Sequence, residues 1–150
     1  MTDGDPAKYR LLRRLKAGGM GEVFLACQRG PEGFEKLVVL KRVLAQFSSD
    51  SRFSLLFLQE ARVSAQLRHP NIVQIHDFGK TEDGYFLCME FVDGPNLREF
   101  METHRERKIP VPLAAAVWIA AKIFGALDYA HERAEYPALL SILTTLVKVG

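Results

Sequence analysis

Leu15-Lys16-Ala17-Gly18-Gly19-Met20-Gly21-Glu22-Val23-Phe24-Leu25-Ala26 is the stretch on which the reading of the fold turns. Its glycines lie between two runs of strand character, residues 9–15 and 23–27, and Val23, Leu25 and Cys27 alternate onto one face of the second run. A Rossmann fingerprint or a Walker A loop opens a helix, so a glycine cluster between two strands argues against both. Glycines in such a turn let the backbone approach another group closely, and their N–H groups can bind phosphate oxygens. A plain hairpin turn accounts for the same residues.

Working outward, Gly30-Pro31-Glu32-Gly33 reads as a turn, and residues 37–43 as a third strand, β-branched and apolar but broken by Lys41. A helix follows. Ser49, Asp50 or Ser51 can cap it, and Phe53, Leu56, Phe57, Glu60, Ala61, Ser64 and Leu67 fall at helical spacing until His69-Pro70-Asn71 stops it. Strands are predicted at 72–78 and 85–91, joined by Thr81-Glu82-Asp83-Gly84. After Gly94-Pro95-Asn96 come a short helix near 97–103 and a long one from Leu113 to about Arg133, with Pro112 as its first residue. Three strands, a helix, two strands and then helices make an α+β fold with a mostly antiparallel sheet.

The composition, 150 residues with 48% hydrophobic and 25% charged, excludes a disordered, collagenous or low-complexity chain and permits one core without staples. A net charge of +2 is too small to argue for nucleic acid, and Arg10, Arg13, Arg14 and Lys16 read as a solvated strand face. Cys27 and Cys88 have no metal-ligand spacing and read as structural thiols of a reducing compartment. The polar, acidic residues 1–6 do not resemble a signal peptide. Residues 111–130 carry Lys122 and Asp128, and residues 137–147 are about half the ~20 that a membrane span needs, so a soluble cytoplasmic protein is expected, with neither membrane nor nucleic acid as partner.

Two charges in apolar settings stand out. Lys41 interrupts Leu37-Val38-Val39-Leu40, which is costly unless its ammonium is paired or snorkels from an edge to water. Glu60 lies on the apolar stripe of the helix, so that a carboxylate faces its own core side. A Lys41–Glu60 pair would resolve both anomalies.

Taken together, LKAGGMGEVFLA at 15–26, VVLK at 38–41, Glu60 in FLQEA and HPNIV at 69–73 resemble, in order and spacing, the N-lobe of a protein kinase, and the GGMGEV wording is similar to eukaryotic-like bacterial serine/threonine kinases. The resemblance runs from about Tyr9 to Ala134. It implies a five-stranded antiparallel sheet with its αC helix followed by the first helices of an incomplete C-lobe. Residues 1–8 would be a flexible N-terminus, 9–93 the N-lobe and hinge, 94–134 partial C-lobe helices and 135–150 a tail unlike the family. It further implies ATP and Mg2+ as cofactors and phosphoryl transfer to protein Ser or Thr. Gly18, Gly19 and Gly21 would cover the phosphates, Val23 would pack on adenine, and Lys41 would contact the α- and β-phosphates while Glu60 holds it. Met89 falls at the gatekeeper position, where it is equally core filler. Hinge backbone groups of Glu90 and Val92 would bond adenine. Asn96 would contact the ribose, or else serve as a turn or helix cap.

The chain also departs from the family pattern. Lys16 stands where the first loop glycine belongs. Asp77-Phe78-Gly79 spells D-F-G but precedes the hinge, at the end of strand 4, and is not a magnesium site. After Ala134 the chain reads EYPALLSILTTLVKVG, without His, Asp, Asn or Arg, so neither the catalytic H-R-D-x-x-x-x-N loop nor the later metal ligands occur in these residues. A frameshift, a premature stop, a cloning boundary or genuine truncation would each produce this. The expectation is an ATP-binding part of a kinase that is inactive as this chain. The alternatives are a pseudokinase-like module binding nucleotide or a partner kinase, and a non-functional remnant.

Overall fold

The computed structural model describes residues 8–18, 21–43, 51–81 and 84–133, without the side chains of residues 51–54, 56 and 60. The expected N-terminal segment before Lys8, the helix caps Ser49 and Asp50 and the tail at 135–150 lie outside the described residues. The elements are β1 (Tyr9–Gly18), β2 (Gly21–Arg29), a 3-10 turn at Pro31–Gly33, β3 (Glu35–Val43), α1 (Ser51–Gln66), β4 (Ile75–Thr81), β5 (Gly84–Glu90), α2 (Leu97–Glu106) and α3 (Leu113–His131). They fall into two compact units, Met1–Arg68 with Val73–Phe91, and His69–Ile72 with Val92–Gly150.

In the first unit the five strands form one antiparallel sheet in the order β1-β2-β3-β5-β4. Residues directly opposite each other across such ladders share a face. One face, called the back here, buries Ala26, Val38, Leu40, Phe86 and Cys88 with Tyr9 packed against them, and the Tyr9 and Phe86 rings meet edge to face at 5.7 Å. The front face receives α1. Its buried residues Phe57, Ala61 and Ser64, with Leu67 just past its end, recur at helical spacing, and the Phe57 ring lies 5.9 Å from Phe78 of β4 and 6.4 Å from Tyr85 of β5.

The sheet is strongly curled. Four strand steps separate β1 from β4, about 19 Å if the sheet were flat. Yet the Tyr9 hydroxyl donates to Asp77 Oδ2 at 2.7 Å and Lys8 Nζ reaches the same oxygen at 3.1 Å. Tyr and Asp side chains cannot span the flat distance, so the two edge strands roll toward each other around the back-face core. Bulges between Leu11 and Arg13, between Arg14 and Lys16, and between Ile75 and Asp77 supply curvature.

Of the boundaries that differ from the sequence reading, two involve residues singled out there. Strand 4 begins and ends three residues later than expected, at Ile75 and Thr81. Ile72 is held instead by a turn, its N–H donating to the His69 carbonyl at 3.0 Å, and the continuous ladder to β5 starts only at Ile75, opposite Met89. Asp77 is therefore an interior strand residue, not the end of a strand. Pro112 caps α3 from outside its first turn, with φ −58° and ψ 134°, rather than opening it.

In the second unit α2 starts at a capping box. Asn96 Oδ1 accepts from the Glu99 N–H at 3.0 Å and Glu99 Oε2 from the Asn96 N–H at 2.9 Å. Helix α3 buries Ala126 and Ala130 and leaves Leu113, Val117, Trp118 and Phe124 exposed. By length and composition α3 could cross a bilayer, but Lys122 and Asp128 inside it would each be costly there.

Candidate functional site

The register assembles the front face row by row. Val23 lies between Lys16 of β1 and Lys41 of β3, and Lys41 in turn faces Leu87 of β5. In the next row Leu25 pairs with Val39, and Val39 with Met89, which also faces Ile75. Lys41 thus projects from an apolar surface of valines and leucines, half-buried, with buried Met89 one diagonal step away. Helix α1 packs on this same face, and Glu60 occupies a position three residues after Phe57 and four before Ser64, along the buried stripe. The Glu60 side chain, and with it the expected Lys41–Glu60 pair, lies outside the described residues.

At the open end of β1 and β2, Gly18 pairs with Gly21, and Gly19 lies outside the described residues. The two described glycines serve different needs. A Cβ on Gly21 would collide with the Arg42 carbonyl oxygen of β3, so this glycine is required by the close approach of two backbones. Among the described residues a Cβ on Gly18 would meet only the Gly21 carbonyl oxygen, at 4.0 Å. No described residue demands a glycine there, and none fills the space over Gly18.

At the end of β5 the Glu90 N–H donates to the Gln74 carbonyl at 2.8 Å, and a Glu90 carboxylate oxygen accepts from the Gln74 N–H at 3.1 Å. The Glu90 N–H is thus committed within the first unit. Val92 and Asn96 belong to the second unit, where both are exposed. The Asn96 side-chain oxygen holds the cap of α2, the structural role that its sequence context left open.

The Tyr9–Asp77 cluster lies on the back face and takes no part in this surface. Burial pushes the Tyr9 hydroxyl well above its ordinary range, reinforced by its bond to Asp77. Burial alone would raise the Asp77 carboxyl. Hydrogen bonds from Tyr9 and Lys8, with the Lys8 charge and the Phe78 N–H, outweigh it and hold that carboxyl below its usual value. Asp77, spelled as a metal-binding motif, is consumed in closing the sheet. Its role, and the front-face placement of Lys16, escaped sequence reasoning; a lysine two residues before the glycine cluster was the available signal for the second.

The residues present fit a nucleotide: an open glycine, an apolar platform and a cation on one sheet face. They do not fit a magnesium site, because among the described residues no group of three or more His, Cys, Asp or Glu side chains is placed to hold a metal ion.

The profile described as protein kinase domain matches residues 9–135. The chain is 39% identical over 124 residues to the tyrosine-protein kinase MasK of Myxococcus xanthus, covering 83% of this chain and 19% of that protein. It is 40% identical over 127 residues to the serine/threonine-protein kinase PknJ of Mycobacterium tuberculosis, covering 85% and 20%. Crystal structures of the Mycobacterium tuberculosis PknI kinase domain superimpose with TM-scores of 0.62 and 0.65 at 32% identity, covering 89% of this chain and 52% and 51% of those chains. The chain thus spans about a fifth of these curated relatives and about half of the solved kinase domains.

Proposed function

The chain belongs to the eukaryotic-like bacterial serine/threonine protein kinase family, and on that premise we propose that residues 1–150 form its ATP-binding half. The observation that carries this reading is the coincidence on one sheet face of Val23, Lys41 and Met89, beside a glycine whose Cβ space is open. Bound ATP supplies the phosphoryl group for transfer to a protein hydroxyl. Lys41 holds the α- and β-phosphates as a charged donor, and Glu60 keeps its ammonium in place. The backbone around Gly18 and Gly21 lies over the phosphates. Val23 covers the adenine, Met89 bounds its pocket, and backbone groups of Glu90 and Val92 bond its edge. By the family resemblance Asn96 contacts the ribose, while its side-chain oxygen also caps α2.

Within these residues the general base and the magnesium ligands are absent, so they bind nucleotide without turning it over. The exposed apolar residues Leu113, Val117, Trp118 and Phe124 favour a second reading, a module that binds nucleotide and docks a partner kinase. Buried, unpaired Cys27 and Cys88 suit a reducing, cytoplasmic setting. The test is phosphoryl transfer from labelled ATP to a generic protein substrate by the purified 150-residue chain. No transfer above a Lys41→Met control is expected; clear Lys41-dependent transfer would overturn the reading.

A further inference from the structure

Four basic residues precede the glycine turn on β1, and the register sorts them. Arg10 and Arg14 have carboxylate partners, Glu35 at 3.6 Å and Glu22 at 2.9 Å. Because a bulge falls between Arg14 and Lys16, the two do not share a face as residues two apart ordinarily would. Arg14 lies opposite Phe24 and is directed to the back, whereas Lys16 lies opposite Val23 and is directed to the front, with Lys41. Lys16 is exposed, and among the described residues no carboxylate is paired with it. It stands two rungs from the Gly18–Gly21 pair that closes the hairpin.

Lys16 and Lys41 therefore flank Val23 from either side, two strand spacings or roughly 10 Å apart at the backbone. Each lysine stem extends about 6 Å, so both ammonium groups can reach one extended anion whose apolar part rests on the valine. Building on the nucleotide reading above, we infer that Lys16 is a second phosphate-binding cation, and that the front face selects a nucleoside polyphosphate over less charged nucleotides by clamping it between two lysines. The side chain that breaks the glycine pattern thus supplies a contact that a glycine cannot make. The gain must grow with ligand charge, because it is Coulombic, and must shrink with added salt.

Calorimetric titration of the 150-residue chain with ATP, ADP, AMP and adenosine, without magnesium and at low salt, tests this. Lys16→Ala should weaken ATP about three- to ten-fold, ADP and AMP progressively less, and leave adenosine unchanged. Lys16→Arg should restore ATP binding, and Arg13→Ala, which removes a front-face charge farther from the turn, should bind as wild type. Equal loss for adenosine and ATP, or no loss for ATP, overturns the inference while leaving the nucleotide site in place. Absence of ATP binding by the wild-type chain overturns both.

Discussion

Asp77→Ala removes the bracket that holds the rolled sheet together. Its carboxylate accepts from the Tyr9 hydroxyl at 2.7 Å, from Lys8 at 3.1 Å and from the Phe78 N–H at 2.9 Å. Losing it strands a part-buried tyrosine hydroxyl, a loss of about 1–3 kcal/mol for a fully buried donor and toward the lower end here, because the Asp77 side chain is 27% exposed. The Lys8 pair, 38% exposed on the lysine side, adds under about 1 kcal/mol. The sum is about 2 kcal/mol, a fall in Tm of about 4–8 °C for a chain of this size. Tyr9→Phe, which leaves Asp77 its other two donors, should lose about 1 kcal/mol. The double variant should lose less than the two singles added, because they share one bond. Circular-dichroism melts and urea titrations measure all three. Asp77→Ala should also leave ATP affinity unchanged, since the residue faces away from Lys41. An unchanged Tm, strict additivity with Tyr9→Phe, or a loss of nucleotide affinity in a folded Asp77→Ala protein would each refute the reasoning.

The two described glycines of the turn should separate by assay. Gly21→Ala forces β2 away from the Arg42 carbonyl and should destabilise by about 1–3 kcal/mol in urea, whereas Gly18→Ala should melt as wild type and bind ATP more weakly; the reverse pattern would contradict their assignment. Acid should destabilise the sheet in two stages. Burial and the neighbouring Lys36 lower the His76 pKa below 6.5, so the unfolded chain takes up the proton first and stability declines as pH falls below that value. Asp77, held below its ordinary 3.8, adds a second loss as pH falls through its folded value. His76→Gln should remove the first stage from the urea midpoint measured between pH 7 and pH 5, and a midpoint in the wild type that does not fall over that range would contradict it.

Much of the fold is legible in the sequence because its signals are local. The alternation of Val23, Leu25 and Cys27, the break at Lys41 and the helical spacing of Phe57, Ala61, Ser64 and Leu67 each follow from one element's own periodicity. The three-residue offset of strand 4 arises because Ile72 and Val73 are apolar and buried like strand residues, yet the β5 ladder starts only at Ile75. What sequence cannot report is curvature. A bulge has no composition of its own, so a strict two-residue alternation puts Arg14 and Lys16 on one face, where the register parts them. The Tyr9–Asp77 bond joins opposite sheet edges, sixty-eight residues apart in the chain, and exists only because the sheet rolls. The front-face grouping of Val23, Lys41 and Met89 follows from strand alternation once the ladder order is known, and that order is a tertiary fact.

Nucleotide binding by the face that carries Lys41 is the most direct thing to measure. Titration of the purified chain with ATP, followed by thermal unfolding, should raise Tm progressively in the wild type, by the amount that binding to the folded state alone requires, and should do so far less in Lys41→Met. A wild-type Tm that stays flat through millimolar ATP, or a Lys41→Met protein stabilised as much as wild type, would contradict the account.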